Sequence, residues 1–471
     1  MSDPLDLSLS GASEGIASGA LSPVALTEAA LERIAAVDGR LNSYQTVMAD
    51  EARAEAAARE AELKRGVKRG PLHGVPIAVK DLCTTHDAPT AAGMKINEGY
   101  RTDTDCTVVA RLRQAGAVLL GKLAMTEGAF AGHHPQMKTP LNPWNETVWT
   151  GASSSGSGAA TAAGLCYGSL GSDTGGSIRF PSHSCGVTGL KPTWGRISRA
   201  GVFRLADSLD HVGPMCRTAE DCAAMFAAMA GPDARDPTAV AVPVSDYVGA
   251  CGAPVRGLRL GVDRAALAEL DAETGAAMEA ALSVLSSLGL RIVEVSQPDM
   301  EGLMDAWNAI CGTETLVAHA ETWPARKGEY GPVLAGFLEA SEKVSGTDLA
   351  AAMHRRLVWE GGFEKTMQDV DMLFLPVLGR TTYDMDSWNA YLAGEGGDDG
   401  IGDLVKHTAP TDMTGSPAMC LPAGFDKRGA PIGCQLIGHH FDEATLLSVG
   451  HAFQSVTEHH VARPDLTPFR A

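Results

Sequence analysis

Apolar side chains at helical spacing open the interpretable part of the chain. After Ser22-Pro23, an N-cap followed by a first-turn proline, Leu26, Ala30, Ile34 and Val37 recur every three or four positions until Gly39, which predicts an amphipathic helix. Asp50 to Arg65, rich in alanine, glutamate and arginine, predicts a second helix closed by the polar loop Gly66 to Gly74. Val75 to Val79 is then a short apolar run bounded by glycine and charge, Asp105 to Ala115 reads as helix, and Val118 to Leu120 is apolar again. Strand, helix and strand in that order predict a parallel sheet. The alternation resumes with strands at Leu258 to Val262, Ile292 to Val295, Asp371 to Leu375 and Ile432 to Ile437, and with helices at Glu273 to Leu288 and Glu443 to Phe453. The expectation is one α/β domain over residues 1–471. Helices fill 1–65, a core segment spans 66–220, and 221–471 completes the sheet and a pocket.

Two stretches break this pattern. Thr147 to Gly176 is dominated by Gly, Ala, Ser and Thr, which permit close backbone approach and give up packing area, as expected of a built site. Gly394 to Gly402 is a glycine and aspartate loop, expected to be exposed and mobile. No repeat at solenoid spacing occurs.

Composition narrows the partners. The 471 residues are 45% hydrophobic and carry a formal charge of −19 with no basic block, which argues against nucleic acid and anionic membranes and for small molecules. No apolar run approaches the roughly 18–20 residues of a membrane span, and Met1 to Ala20 has neither the basic start nor the apolar stretch of a secretory signal. The ten cysteines have no C-x-x-C pair or framework spacing, which fits free thiols in a reducing cytoplasm. A cytoplasmic protein is expected.

Three segments carry candidate chemistry. Lys80 ends the apolar run from Val75, and the carboxyl end of a strand in an open α/β sheet faces the ligand crevice. Burial there disfavours the ammonium and turns a lysine into a general base. Gly151-Ala152-Ser153-Ser154-Ser155-Gly156-Ser157-Gly158 could be a flexible linker, but it leads straight into Ala159 to Ala163, a close-packing helix whose N-terminal amides favour a reacting hydroxyl or an anion. Asp173-Thr174-Gly175-Gly176-Ser177 could be a plain turn. It also sets a serine after two glycines, so that successive N–H groups can converge on one oxygen. Asp173 and Arg179 read as an ion pair bracing that loop.

Other spellings mislead. Gly11-Ala12-Ser13-Glu14-Gly15 fits G-x-S-x-G, but no strand precedes it and it lies near a terminus expected to fray. Gly116 to Lys122 resembles a phosphate loop, yet Leu123 replaces the required Ser or Thr and Ala117 to Leu120 reads as buried strand. The adjacent pairs His133-His134, His439-His440 and His459-His460 lack metal-ligand spacing, so neither a metal nor another cofactor is expected.

Taken together, Gly70 to Asp81, the serine run and Gly171 to Arg179 resemble the amidase-signature family in content, order and spacing. Asn142-Pro143-Trp144, Thr414 to Ala418, Leu421 to Phe425, Pro431-Ile432-Gly433 and Gln435 to Gly438 resemble it too. The resemblance runs from about Leu21 to the last helix. It implies a large mixed, mostly parallel β-sheet sandwiched between helices, and a Ser-cisSer-Lys triad. Ser177 would be the nucleophile, Ser153 the bridging serine after a cis peptide, and Lys80 the base. The N–H groups of Thr174, Gly175, Gly176 and Ser177 would form the oxyanion hole. Ala152 and Ser155 stand where the family typically has glycine, and Asp412 where many members carry asparagine.

The resemblance thus implies an amidohydrolase cleaving a small amide, aryl amide or carbamate through an acyl-enzyme on Ser177. A urethanase or biuret-like hydrolase is the chemically close alternative. A second alternative is a role similar to the A-type component of glutamine-dependent tRNA amidotransferases, which acts only in a complex. Homodimerisation is common among relatives. Specificity is expected from Met125 to Thr139 and Trp307 to Leu392, with Met125, Phe130 and Ser154 as substrate contacts and His133, Trp307 and Phe337 as further candidates.

Overall fold

Pro23–Leu41 forms the expected first helix, with Ser22 Oγ accepting the Ala25 N–H at 3.1 Å. The helix runs through Gly39 because buried Leu41 holds its last turn to the core, and Asn42 supplies the left-handed stop at φ 59°. The second helix is Ala49–Lys64. The N-terminal stretch departs from the expected fraying: Leu9–Ala17 is a helix capped by Ser8, with Leu9, Ala12 and Ile16 buried on one face. The G-x-S-x-G spelling therefore lies inside a helix. This computed structural model describes residues 3–395 and 404–470. The loop expected to be mobile lies outside the described residues over 396–402.

Eleven strands are described: β1 (Tyr44–Val47), β2 (Pro76–Lys80), β3 (Val118–Leu123), β4 (Gly168–Asp173), β5 (Thr188–Lys191), β6 (His211–Cys216), β7 (Arg259–Val262), β8 (Arg291–Glu294), β9 (Met372–Pro376), β10 (Ala418–Phe425) and β11 (Pro431–Gly438). They form one sheet in the order β1-β3-β2-β4-β6-β5-β10-β11-β9-β7-β8. The large mixed sheet matches the expectation, but its parallel share is smaller than expected. β2 pairs parallel with β3 and β4, and β7 with β8 and β9, whereas the six other ladders are antiparallel. The strand-helix-strand alternation reports only the two parallel wings. Between them, the β10–β11 hairpin and the antiparallel β5–β6 pair need no helical crossover.

Every position of β2, β3, β4, β6, β9 and β11 is buried, which requires cover on both faces. Helices supply it: Ser155–Ala162 packs on β4, Ala219–Met229 on β6 and Glu443–Gln454 on β10. The first of these approaches so closely that a Cβ on Gly156 would stand 2.4 Å from the Ala124 carbonyl oxygen. The small residues of the serine run are therefore a packing requirement as well as a chemical one.

Candidate active site

The parallel register of β2 and β4, Ala78 opposite Ser169 and Val79 opposite Leu170, brings the carboxyl ends of both strands to one edge. Lys80 ends β2 there, fully buried. Its Nζ lies 2.7 Å from Ser153 Oγ, 2.8 Å from Ser172 Oγ and 2.9 Å from Ser154 Oγ, and no carboxylate pairs with it among the described residues. Burial lowers its ammonium from 10.5 to about 7, against the opposing pull of Asp173. A neutral amine offers two donors and one lone pair, which matches three hydroxyl neighbours if one of them donates. The Ser154 hydroxyl donates to the Ser172 carbonyl at 3.2 Å, leaving its oxygen to accept from Lys80. Ser153 is free to be the hydroxyl that donates. The Ala152–Ser153 peptide is cis.

Ser177 follows β4 at the end of the loop 174–176. It is partly exposed, unlike the fully buried Lys80 and Ser153, and it lines a small cavity of about 40 Å³. Phe130, Phe180, Leu205, Trp307 and Trp388 form much of the wall, and no charged side chain lines it among the described residues. Phe130 stacks on Phe337 at 4.1 Å between ring centroids. Of the expected substrate contacts, Phe130 reaches the cavity. Met125 is buried away from it, and Ser154 is turned to Lys80 and Ser172. His133 bonds Ser155 Oγ at 3.1 Å instead.

The glycine loop is held from behind. Asp173 accepts from the Gly176 N–H at 2.6 Å and the Ile178 N–H at 2.9 Å, and pairs with Arg179 at 2.9 Å. Arg179 also meets Asp412 at 2.8 Å, so the bracing ion pair read from the sequence gains a second carboxylate. Against the upward push of burial, Arg179 holds the Asp173 carboxyl below the usual carboxylate range. Burial and the neighbouring Asp173 charge push Asp412 well above it. The Gly176 amide, one of the four expected oxyanion donors, already has this Asp173 carboxylate as its acceptor. The amides of Thr174, Gly175 and Ser177 have no acceptor among the described residues. Sequence reasoning gave no role to Ser172, Asp210 or Thr408. Only Ser172, inside the Gly171 to Arg179 block, carried a local signal.

The phosphate-loop spelling is accounted for by packing. Lys122, from the phosphate-loop spelling, lies buried in β3 and pairs with Asp81 at 3.1 Å. The one grouping of metal-ligating side chains among the described residues is His86, Asp87 and Asp105. The Arg113 guanidinium already sits between its two carboxylates, 2.6 Å from Asp87 and 3.3 Å from Asp105. Among the described residues, no helix is long and apolar enough to cross a membrane.

A protein-family model described as Amidase matches residues 25–447. The protein named "Putative amidase AmiD" of Mycobacterium tuberculosis (strain ATCC 25618 / H37Rv) is 46% identical over 445 residues, 94% of this chain and 93% of that protein. The A-type component of the glutamyl-tRNA(Gln) amidotransferase of Halorhodospira halophila (strain DSM 244 / SL1) is 38% identical over 482 residues, 96% of this chain and 98% of that protein. Among solved structures, a 6-aminohexanoate cyclic dimer hydrolase is similar with a TM-score of 0.87 at 28% identity, covering 98% of this chain and 99% of the other.

Proposed function

The chain belongs to the amidase-signature family of hydrolases acting on carbon–nitrogen bonds, and from that premise we propose that it cleaves small, uncharged amides or aryl amides with an apolar acyl group through an acyl-enzyme on Ser177. The observation that carries this reading is Lys80: a buried lysine without a carboxylate partner among the described residues, lowered to about 7, with Ser153 Oγ 2.7 Å from its Nζ. Ser177, at the cavity, is the hydroxyl presented to substrate.

The chemistry follows from these positions. Neutral Lys80 takes the Ser153 proton as Ser153 takes that of Ser177, whose Oγ attacks the carbonyl carbon. The tetrahedral oxyanion is held by the unpaired amides of Gly175 and Ser177, with Thr174 as a third donor. Gly176 is left out because its N–H points to Asp173. Collapse breaks the C–N bond as the proton returns through Ser153 to the leaving nitrogen, and water, deprotonated by the same relay, releases the acid. The same attack on an aryl carbamate, with the C–O bond breaking and the phenol leaving, gives a carbamoyl-enzyme that water clears, so carbamates belong to the substrate range.

The cavity wall argues against glutamine as the substrate. Glutamine carries an ammonium and a carboxylate, and burying either without a partner is costly. No charged lining residue among those described would meet them. Labelling with a fluorophosphonate, read by intact mass, tests the proposal. One adduct on the wild type, absent in Ser177→Ala and slow in Lys80→Ala, is expected. An adduct that persists in Ser177→Ala would refute it.

A further inference from the structure

The loop that presents Ser177 is gripped by two side chains from distant parts of the chain. Trp307, on the helix Leu303–Ala318, donates its indole N–H to the Thr174 carbonyl at 2.9 Å. Thr408 donates its hydroxyl to the Gly175 carbonyl at 2.5 Å. Both partners are consecutive carbonyls of the proposed oxyanion loop. We infer that Trp307 is a positioning residue that aims the Gly175 amide of the oxyanion hole and that Thr408 is one that fixes the plane joining it to the Ser177 amide, an inference that rests on the reading of Ser177 as nucleophile.

The physical link is the planarity of the peptide. In a trans peptide the C=O and the following N–H point in opposite directions within one rigid plane, so fixing the carbonyl fixes the amide. None of the loop peptides is cis. The Trp307 bond to the Thr174 carbonyl therefore sets the Gly175 N–H, which has no acceptor among the described residues, in the direction away from the indole nitrogen. The Thr408 bond to the Gly175 carbonyl sets the Gly176 N–H on the opposite side, where Asp173 accepts it at 2.6 Å. The next plane is fixed by the Phe180 N–H, which donates to the Gly176 carbonyl at 2.7 Å and so sets the Ser177 N–H. Three successive planes are each pinned at the carbonyl, and the first and third present the free amides.

Glycine at 175 is part of the same device. A Cβ there would stand 2.6 Å from Trp307 Cζ2, so the indole lies flush against the loop only because residue 175 has no side chain. The loop's flank is held as well: Thr174 Oγ1 donates to Asp210 Oδ1 at 2.6 Å. Asp210 in turn accepts from the Leu205 N–H at 2.9 Å, and Leu205 is a cavity wall. A loop with two adjacent glycines is otherwise the most conformationally free segment of the site. Pre-aimed donors are what make an oxyanion hole effective, because no reorganisation accompanies charge development.

The test uses the full chain with 4-nitroacetanilide as substrate and a fluorophosphonate as active-site titrant. Trp307→Phe keeps a ring in the cavity wall and deletes the N–H. Thr408→Val deletes the hydroxyl, and Thr408→Ser restores it. Removing a whole oxyanion donor lowers kcat by about 10²–10³, so loosening the plane that aims one, or the plane that joins two of them, is expected to lower it by about 10-fold. Trp307→Phe and Thr408→Val should show that fall in kcat and in phosphonylation rate, with KM within about twofold of wild type, and Thr408→Ser should stay within about twofold in both. Unchanged kcat in both deletions, or a rise in KM alone, would overturn the inference and leave Trp307 as wall only. Should Trp307→Phe not fold, the Thr408→Val and Thr408→Ser pair decides by itself. A wild type inert to both reagents, or a Ser177→Ala variant that still reacts, would overturn the underlying reading of Ser177 and this inference with it.

Discussion

Lowering the pH through 7 is expected to shut the reaction down by recharging one buried amine. Lys80 must be neutral to accept a proton from Ser153, and its ammonium is lowered by burial to about 7. One pH unit below that value about a tenth of the enzyme has a neutral lysine, and one unit above it about nine-tenths does. The value of kcat/KM for an uncharged aryl amide should therefore rise about tenfold from pH 6 to pH 8 and then level off. A lysine at its ordinary 10.5 would instead give a rate that climbs about tenfold per unit up to pH 10. The same shift affects stability. The folded-state value is depressed, so between about 7 and 10.5 the unfolded chain binds a proton that the folded chain does not, and stability rises with pH across that window. The full difference is on the order of 5 kcal/mol. In Lys80→Met the hydrolytic rate should collapse, and the rise of the thermal midpoint with pH over that window should flatten. Initial rates and calorimetric scans on both proteins at matched ionic strength measure the two effects. A wild-type rate still climbing steadily above pH 8, or a thermal pH profile unaffected by Lys80→Met, would refute the assignment of Lys80 as the neutral base.

Two further substitutions probe the surroundings of the site. Phe130→Ala removes a wall that stacks on Phe337 at 4.1 Å. It should raise kcat/KM for a hexanoyl anilide relative to an acetyl anilide by about tenfold, while lowering stability by about 3 kcal/mol; an unchanged ratio would mean that the acyl group lies elsewhere. Asp412→Asn relieves a buried carboxyl that burial and Asp173 push upward. A raised folded-state value disfavours folding once the pH exceeds the ordinary carboxylate range and has no effect below it. The thermal midpoint of Asp412→Asn at pH 8 should therefore exceed that of wild type by about 2–4 °C, with the gap closing in acid, and a fall at pH 8 would contradict this account.

What could be read in advance was local. A run of five apolar residues ending in lysine, a serine block entering an alanine helix and a double glycine before a serine each state their own geometry within a dozen residues. The segments that hold Lys80, Ser153 and Ser177 are legible for that reason. The centre of the sheet was not: β6 reads His-Val-Gly-Pro-Met-Cys and β5 is only four residues long. Both are buried throughout, so neither shows the alternation that marks a strand with one wet face. Pocket residues failed for a different reason. Met125 and Phe130 lie five positions apart on one loop, and only the left-handed turn at Gly128 and Ala129 decides which of them faces the cavity. Ser154 was drawn away from substrate by Lys80 and Ser172, a competition visible only once β2 and β4 are paired.

The oxyanion loop sits between these cases. Its glycines announce convergent amides, yet which amides remain free is decided by acceptors and donors outside the motif. Asp173 takes the Gly176 N–H from three residues away. Trp307 and Thr408 take the carbonyls from 133 and 233 residues away. A glycine motif therefore specifies that the backbone can bend to one oxygen, and the rest of the chain specifies which way each plane faces. Two chains can share the motif letter for letter and still differ in turnover through a tryptophan or threonine elsewhere. In this chain Trp307 both lines the cavity and donates to the Thr174 carbonyl, so on the proposed mechanism one residue would shape the pocket and aim a donor. Changes that enlarge the pocket at Trp307 are expected to lower turnover, whereas changes at Phe130, which touches no loop carbonyl, leave specificity free to change alone.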